Sequence, residues 1–199
     1  TSAGGQLDTY LRVQCPFFVK TPTTLAGNQG RLNCATWNNN LHKKLVTGRH
    51  YDYIFVAAFA GSNIVGSERE SFANYTETLK FLTTISKNVI VLHDLPTGKG
   101  AVLCLQRNAE KGPKCGTSQN EAQLPDRLFQ ASKNIDLVTS IDLSYTLCRE
   151  GYCPAVLGGV LPYRDTDHIT ATFARTLRGP LKEALAGMGI VLGEDPVQQ

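Results

Sequence analysis

The chain has 199 residues, 42% hydrophobic and 19% charged, with a formal net charge of +3. That length suits one domain with a sizeable core, and the composition excludes a disordered segment. So small a net charge, with Lys and Arg scattered and no basic run, argues against nucleic acid as a partner.

Residues 7–13, with Thr9 and Tyr10 among them, read as a strand. Gly and Thr-Pro punctuation follows as far as Gly30. Over residues 32–45, Leu32, Trp37, Leu41 and Leu45 fall on roughly one face, which predicts a helix. The apolar run 53–58 predicts a strand covered on both faces. Ser67 with Glu70 has the pattern of a capping box. The helix it opens extends to about Lys87 and carries Phe72, Tyr75, Leu79 and Leu82.

A short apolar strand is expected over 89–92, then an irregular stretch over 96–123. Residues 125–133 suggest a short helix and 135–141 a further strand. Residues 148–162, with Gly151, Gly158 and Gly159, read as loop. Thr170 is a natural N-cap for a late helix, which Gly179-Pro180 is expected to kink or restart. Strands alternating with helices predict a single α/β domain over 1–199, a sandwich with a parallel sheet. Its active site is expected beyond the carboxyl ends of the strands. No apolar run approaches the roughly 20 residues of a membrane span, and no signal-peptide pattern opens the chain.

The six cysteines fall as Cys15 and Cys34, Cys104 and Cys115, and Cys148 and Cys153. None has the spacing of a zinc ligand, so no metal is expected. Each has a partner nearby in a Gly- and Pro-rich stretch, which predicts three short-range disulfides among about 15 formal connectivities. Disulfides imply an oxidising compartment, whereas six buried thiols would suit a cytosolic chain.

The sharpest chemical signal is Tyr163-Arg-Asp-Thr-Asp-His168. An Asp three residues before a His, in a turn leading to a helix, can fold back onto Nδ1 of the ring. That fixes the tautomer and leaves Nε2 as a base toward a hydroxyl. Other candidates are plainer. His93-Asp94 falls at a strand's carboxyl end, where it could line the site but better suits a satisfied core-edge histidine, while His42 and His50 read as surface residues. Arg107 suits either a loop contact or an anionic group. Asn74-Tyr75-Thr76 is a glycosylation sequon, inert in a bacterial source.

Several distinct motifs are spread along the chain. They are Cys15-Pro16-Phe17, Cys34-Ala-Thr-Trp37-Asn38, Val56-Ala57-Ala58-Phe59, a strand leading to Pro96, and Cys104-Leu-Gln-Arg107. Cys148 and Cys153 then lead to Tyr163, Asp165 and Asp167-His168-Ile169-Thr170. In these the sequence resembles the SGNH hydrolase superfamily. More narrowly, it is similar to the SGNH domain fused to bacterial integral-membrane acyltransferases that modify cell-envelope glycans.

The resemblance implies a three-layer α/β/α, flavodoxin-like fold and a Ser-His-Asp acyl-enzyme mechanism. His168 would be the general base and Asp165 its orienting carboxylate, with Asp167 a cap or surface charge. The family's nucleophile lies in a Gly-Asp-Ser segment, expected by register about one helix upstream of Thr1. The chain is therefore expected to be truncated at its first strand, and Ser2 is not expected to be the nucleophile. For the family's oxyanion residues, its Gly would fall near Gln14, and its Asn has one candidate, Asn63 in Gly61-Ser62-Asn63, a position that also suits a plain turn.

The function so implied is that of an O-acyltransferase or esterase acting on envelope glycan, with no organic cofactor. Its partners would be an acyl donor, a glycan or glycolipid acceptor and the integral-membrane acyltransferase domain of the same chain. It would lie outside the cytoplasm, tethered to the membrane. A non-catalytic domain that binds envelope glycan or a partner protein is the alternative.

Overall fold

The computed structural model describes residues 6–20, 29–61, 67–108 and 114–190. In chain order the elements are α1 (Gln29–Thr47), β1 (Ile54–Val56), α2 (Glu68–Ile85), β2 (Val89–Leu92), α3 (Ala101–Arg107), β3 (Gly116–Ser118), α4 (Gln119–Ala122), α5 (Arg127–Ser132), β4 (Val138–Ile141), β5 (Tyr152–Pro154), α6 (Ala171–Thr176) and α7 (Arg178–Gly187). Contacts gather into two compact units. One comprises Tyr10–Asp94 and Pro125–Asp142, the other Thr1–Thr9, Leu95–Leu124 and Leu143–Gln199.

The first unit holds a parallel sheet in the order β1-β2-β4. Val89 pairs with Ile54 on one side and with Val138 on the other. Two parallel pairs in succession need crossover connections, and α2 and α5 provide them. Val89 and Val91 share one face of β2 and pack with Leu41 and Leu45 of α1, Leu79 and Leu82 of α2, and Leu128 of α5. Ile90, out of phase with them, is buried too, so β2 is covered on both faces. This is the α/β arrangement, with parallel strands and covering helices, of an SGNH-like fold.

Local chemistry explains the helix ends. Ser67 accepts from the Glu70 amide at 3.3 Å, and the Glu70 carboxylate accepts from the Ser67 amide at 2.8 Å, closing the capping box. Asp126 caps α5 by accepting from the Phe129 amide at 2.9 Å. The break at Leu177 separates α6 from α7, and Pro180 falls in the first turn of α7, where a missing N–H costs nothing.

Four expectations need correction. Residues 7–13 form no strand. Leu7, Leu11 and Val13 are 80%, 85% and 88% exposed, and apolar alternation without a neighbouring ladder does not hold a strand. β1 is not covered on both faces, because it is the edge of the described sheet and Phe55 is 41% exposed. The stretch 96–123 is not irregular; it contains α3, β3 and α4. Nor is 148–162 all loop, since β5 pairs antiparallel with β3, Thr117 opposite Cys153.

That small ladder lies in the second unit, whose core includes Cys115, Ala122, Leu147, Ala155, Tyr163 and Phe173. Disulfides join Cys104 to Cys115 and Cys148 to Cys153 around it, and Cys15 to Cys34 in the first unit. Beside the last bond, Asn38 is fully buried. It accepts from the Phe18 amide at 3.3 Å and donates to the Pro16 carbonyl at 3.2 Å, so the segment entering the core is hydrogen-bonded as well as cross-linked.

Candidate active site

The segment from Pro162 to Thr170 closes on itself. The Arg164 amide donates to the His168 carbonyl at 2.8 Å and the Thr170 amide to the Pro162 carbonyl at 2.7 Å. Thr170 also donates its hydroxyl to the Leu161 carbonyl at 2.7 Å, and its oxygen accepts from the Phe173 amide at 3.1 Å as N-cap of α6. One side chain thus closes the turn and starts the helix after it.

Asp165 organises the interior of this turn. Its Oδ1 accepts from the His168 amide at 2.8 Å and the Asp167 amide at 3.0 Å, and lies 2.9 Å from His168 Nδ1. Arg164 lies 3.4 Å from Oδ2. The backbone amides of His168 and Asp167, then the His168 ring, hold the Asp165 carboxyl well below the usual carboxylate range. An ionised Asp165 facing Nδ1 places the ring proton there and leaves Nε2 with its lone pair. The His168 side chain is 68% exposed, so this basic nitrogen is open to a reactant from solvent.

The turn is anchored by Tyr163. Its hydroxyl donates to the Pro96 carbonyl at 2.9 Å, and its ring lies on Gly98 so closely that a Cβ there would overlap it. The Gly98 amide donates to the Thr166 carbonyl at 2.8 Å. Sequence reasoning missed this role of Gly98, for which the close approach of two chain segments is the reason.

The remaining candidates are dispersed. Gln14 is exposed and adopts a φ of +55° in the turn before Cys15. This left-handed region is one that glycine suits better than glutamine. Asn63 and Ser2 lie outside the described residues. His50 and Arg107 are exposed, and His42, half-buried, meets Phe81 edge-on at 4.7 Å. Asn74 lies within α2.

His93 and Asp142 form a second pair that the sequence reading missed. They follow β2 and β4, and the His93 amide continues the ladder to the Ile141 carbonyl at 2.8 Å. His93 Nδ1 lies 3.2 Å from the Asp142 carboxylate, with the ring stacked 4.0 Å from Phe129. Parallel register was the only available signal, since 49 residues separate two side chains that the ladder makes neighbours.

Among the described residues no group of three or more His, Cys, Asp or Glu side chains is placed to hold a metal ion. No described helix is long and apolar enough to cross a membrane.

A parallel α/β sheet flanked by helices, followed by a late turn that ties an aspartate to a histidine, describes an SGNH-like α/β domain. The family described as the SGNH domain (fused to AT3 domains) matches residues 2–183, and the chain belongs to it. Among solved structures, the chain is similar to the lipopolysaccharide acetyltransferase periplasmic domain of Salmonella ser. Paratyphi A, with a TM-score of 0.56 and 14% identity. The match covers 77% of this chain and 63% of that one, and at this identity it speaks to the fold alone. No curated protein matches the chain.

Proposed function

We propose that this domain transfers an acyl group to a hydroxyl of cell-envelope glycan, or hydrolyses such an ester, through a serine acyl-enzyme. His168 Nε2 takes the proton from the serine hydroxyl as that oxygen attacks the acyl carbonyl. Asp165 stabilises the imidazolium that forms, and the imidazolium then returns the proton to the leaving group. The same nitrogen next deprotonates the sugar hydroxyl, or water, that attacks the acyl-enzyme. Backbone N–H groups stabilise each tetrahedral oxyanion, with Gln14 and Asn63 the nearest counterparts of the family's oxyanion residues. The serine would be that of the family's Gly-Asp-Ser segment.

The observation that carries this reading is the Asp165 carboxylate set on His168 Nδ1 within the loop that Thr170 closes. Three cross-links in the chain favour an oxidising compartment, and so a domain outside the cytoplasm, tethered through an acyltransferase membrane domain of the same polypeptide. The similar Salmonella structure is that of a lipopolysaccharide acetyltransferase periplasmic domain, which agrees in kind. No step calls for a metal or an organic cofactor.

The test is to supply the full-length membrane protein with an acyl donor and envelope glycan and to weigh the glycan by mass spectrometry. The expected result is an added acyl group that alkali removes. A glycan that binds the protein but gains no acyl group would support the non-catalytic alternative.

A further inference from the structure

The loop that carries the Asp165–His168 pair is bonded largely within itself. Asp165 takes the His168 and Asp167 amides, Arg164 donates its amide to the His168 carbonyl, and Thr170 closes the base. These bonds fix His168 relative to Asp165. They do not fix the pair as a whole, because a loop bonded internally can tilt as one body. The His168 and Asp165 side chains are 68% and 45% exposed, so packing on the pair does little to hold it in place.

Three consecutive residues outside the loop supply the missing constraint. The Pro96 carbonyl accepts from the Tyr163 hydroxyl at 2.9 Å, and the Gly98 amide donates to the Thr166 carbonyl at 2.8 Å. Between them, Thr97 donates its amide and its hydroxyl to the Ala122 carbonyl at the end of α4, at 2.8 and 3.1 Å. The Gly98 carbonyl accepts from the Ala101 amide at 2.9 Å, which ties the segment to α3. Residues 96 and 98 thus hold the loop, and residue 97 holds both to the core. Pro96, Thr97 and Tyr163 are all buried.

Tyr163 stands where a shift would reach the base. It bridges antiparallel to Ile169, the residue after His168. Burial raises the Tyr163 pKa, so its hydroxyl remains a donor throughout the neutral range. Deleting that hydroxyl takes a donor from the buried Pro96 carbonyl. It loosens the seat of the loop and leaves the Asp165–His168 contact intact.

We propose that Tyr163 and Thr97 are positioning residues, which act through the Pro96–Gly98 segment to hold the base His168 in place for proton transfer. Both are buried, so each acts through the loop and not on a reactant. A base must meet its proton at hydrogen-bond distance, and a displacement of about 1 Å can cost about 10²-fold in rate. The inference rests on the proposed function for the reaction concerned. The seating of the loop is measured without acyl transfer, so the two can fail separately.

The experiment has two arms. In the first, NMR follows amide hydrogen exchange in the 199-residue chain. Tyr163→Phe keeps the ring on Gly98 and removes one hydrogen bond. The Gly98 amide should exchange about fivefold faster, as for one lost neutral bond, while the His168 amide keeps its rate. In the second, kcat and KM for acyl transfer are measured with the full-length protein, at a temperature where every variant is folded. Tyr163→Phe should lower kcat about tenfold with KM unchanged. Thr97→Val should lower kcat to a lesser degree, and Thr97→Ser, which keeps the hydroxyl, should match wild type. An unchanged Gly98 exchange rate in Tyr163→Phe would overturn the seat. Faster exchange with kcat at the wild-type value would make these bonds purely structural and overturn the positioning role. A wild-type protein that transfers no acyl group would overturn the proposed function and the positioning role in it, while the exchange arm would still decide whether the seat exists.

Discussion

His168 Nδ1 lies 2.9 Å from Asp165 Oδ1, and the amide of the same histidine donates to the same oxygen at 2.8 Å. Ring and backbone of one residue thus share one carboxylate, and the ring nitrogen reaches its Oδ2 as well, at 3.0 Å. The carboxylate can neither rotate away from the ring without losing an amide partner nor protonate without weakening both contacts.

The first prediction concerns pH. Asp165 has a folded-state pKa below its unfolded value near 4, so its contribution to stability is present above about pH 4. That contribution fades as pH falls from there toward the lower folded value. Carbon-detected NMR should find the Asp165 carboxylate still ionised near pH 3, where an ordinary aspartate is mostly protonated. His168→Ala should raise its midpoint only in part, because the two backbone amides remain.

Gly98→Ala should be costly. The new Cβ would meet the Tyr163 ring, and the ring cannot move without giving up the Pro96 carbonyl. Overpacking of this kind costs about 1–3 kcal/mol. Urea denaturation should show the loss, and pairing it with Tyr163→Leu should recover part of it, since a smaller side chain makes room for the Cβ.

Thr170→Ala removes both the cap of α6 and the bond to the Leu161 carbonyl. A destabilisation of about 1 kcal/mol is expected, with Thr170→Ser close to wild type. His168 amide exchange should rise in the alanine variant, since the turn loses its closure. An unchanged exchange rate would show that the turn is held elsewhere.

Removing the Cys15–Cys34 cross-link by double Ser substitution should cost about 3 kcal/mol by the chain-entropy model for a loop of that length. Mass mapping of unreduced peptides should return all three bonds, and denaturation of the variant should give the cost. Free thiols in the unreduced chain would remove this basis for placing the domain in an oxidising compartment.

Much of the central fold was legible because its signals are local. The Ser67–Glu70 capping box, the apolar run of β2 and the Thr170 cap each involve residues within a few positions of one another. The same holds for the Asp165–His168 turn, which three residues of spacing already permit. The short pairing of β3 with β5 was not legible, because Gly116–Ser118 has no apolar alternation and gains its order from a partner 36 residues away. Residues 7–13 misled for the opposite reason. Their alternation is real, but a strand depends on a neighbour that the described sheet does not offer. Asp142 beside His93, and Tyr163 on Gly98, depend on which chain segments meet, and composition carries no trace of that.

The most direct test of the proposed chemistry is kcat for acyl transfer by the full-length protein across three substitutions. His168→Ala removes the base, and Asp165→Asn supplies the wrong partner for Nδ1. Each should lower kcat by about 10³-fold or more, with the double variant little worse than either, as expected of residues that act as one unit. Asp167→Asn should stay within about tenfold of wild type, since only its backbone amide reaches Asp165. A His168→Ala enzyme that retains kcat within about tenfold would contradict the assignment of His168 as the base.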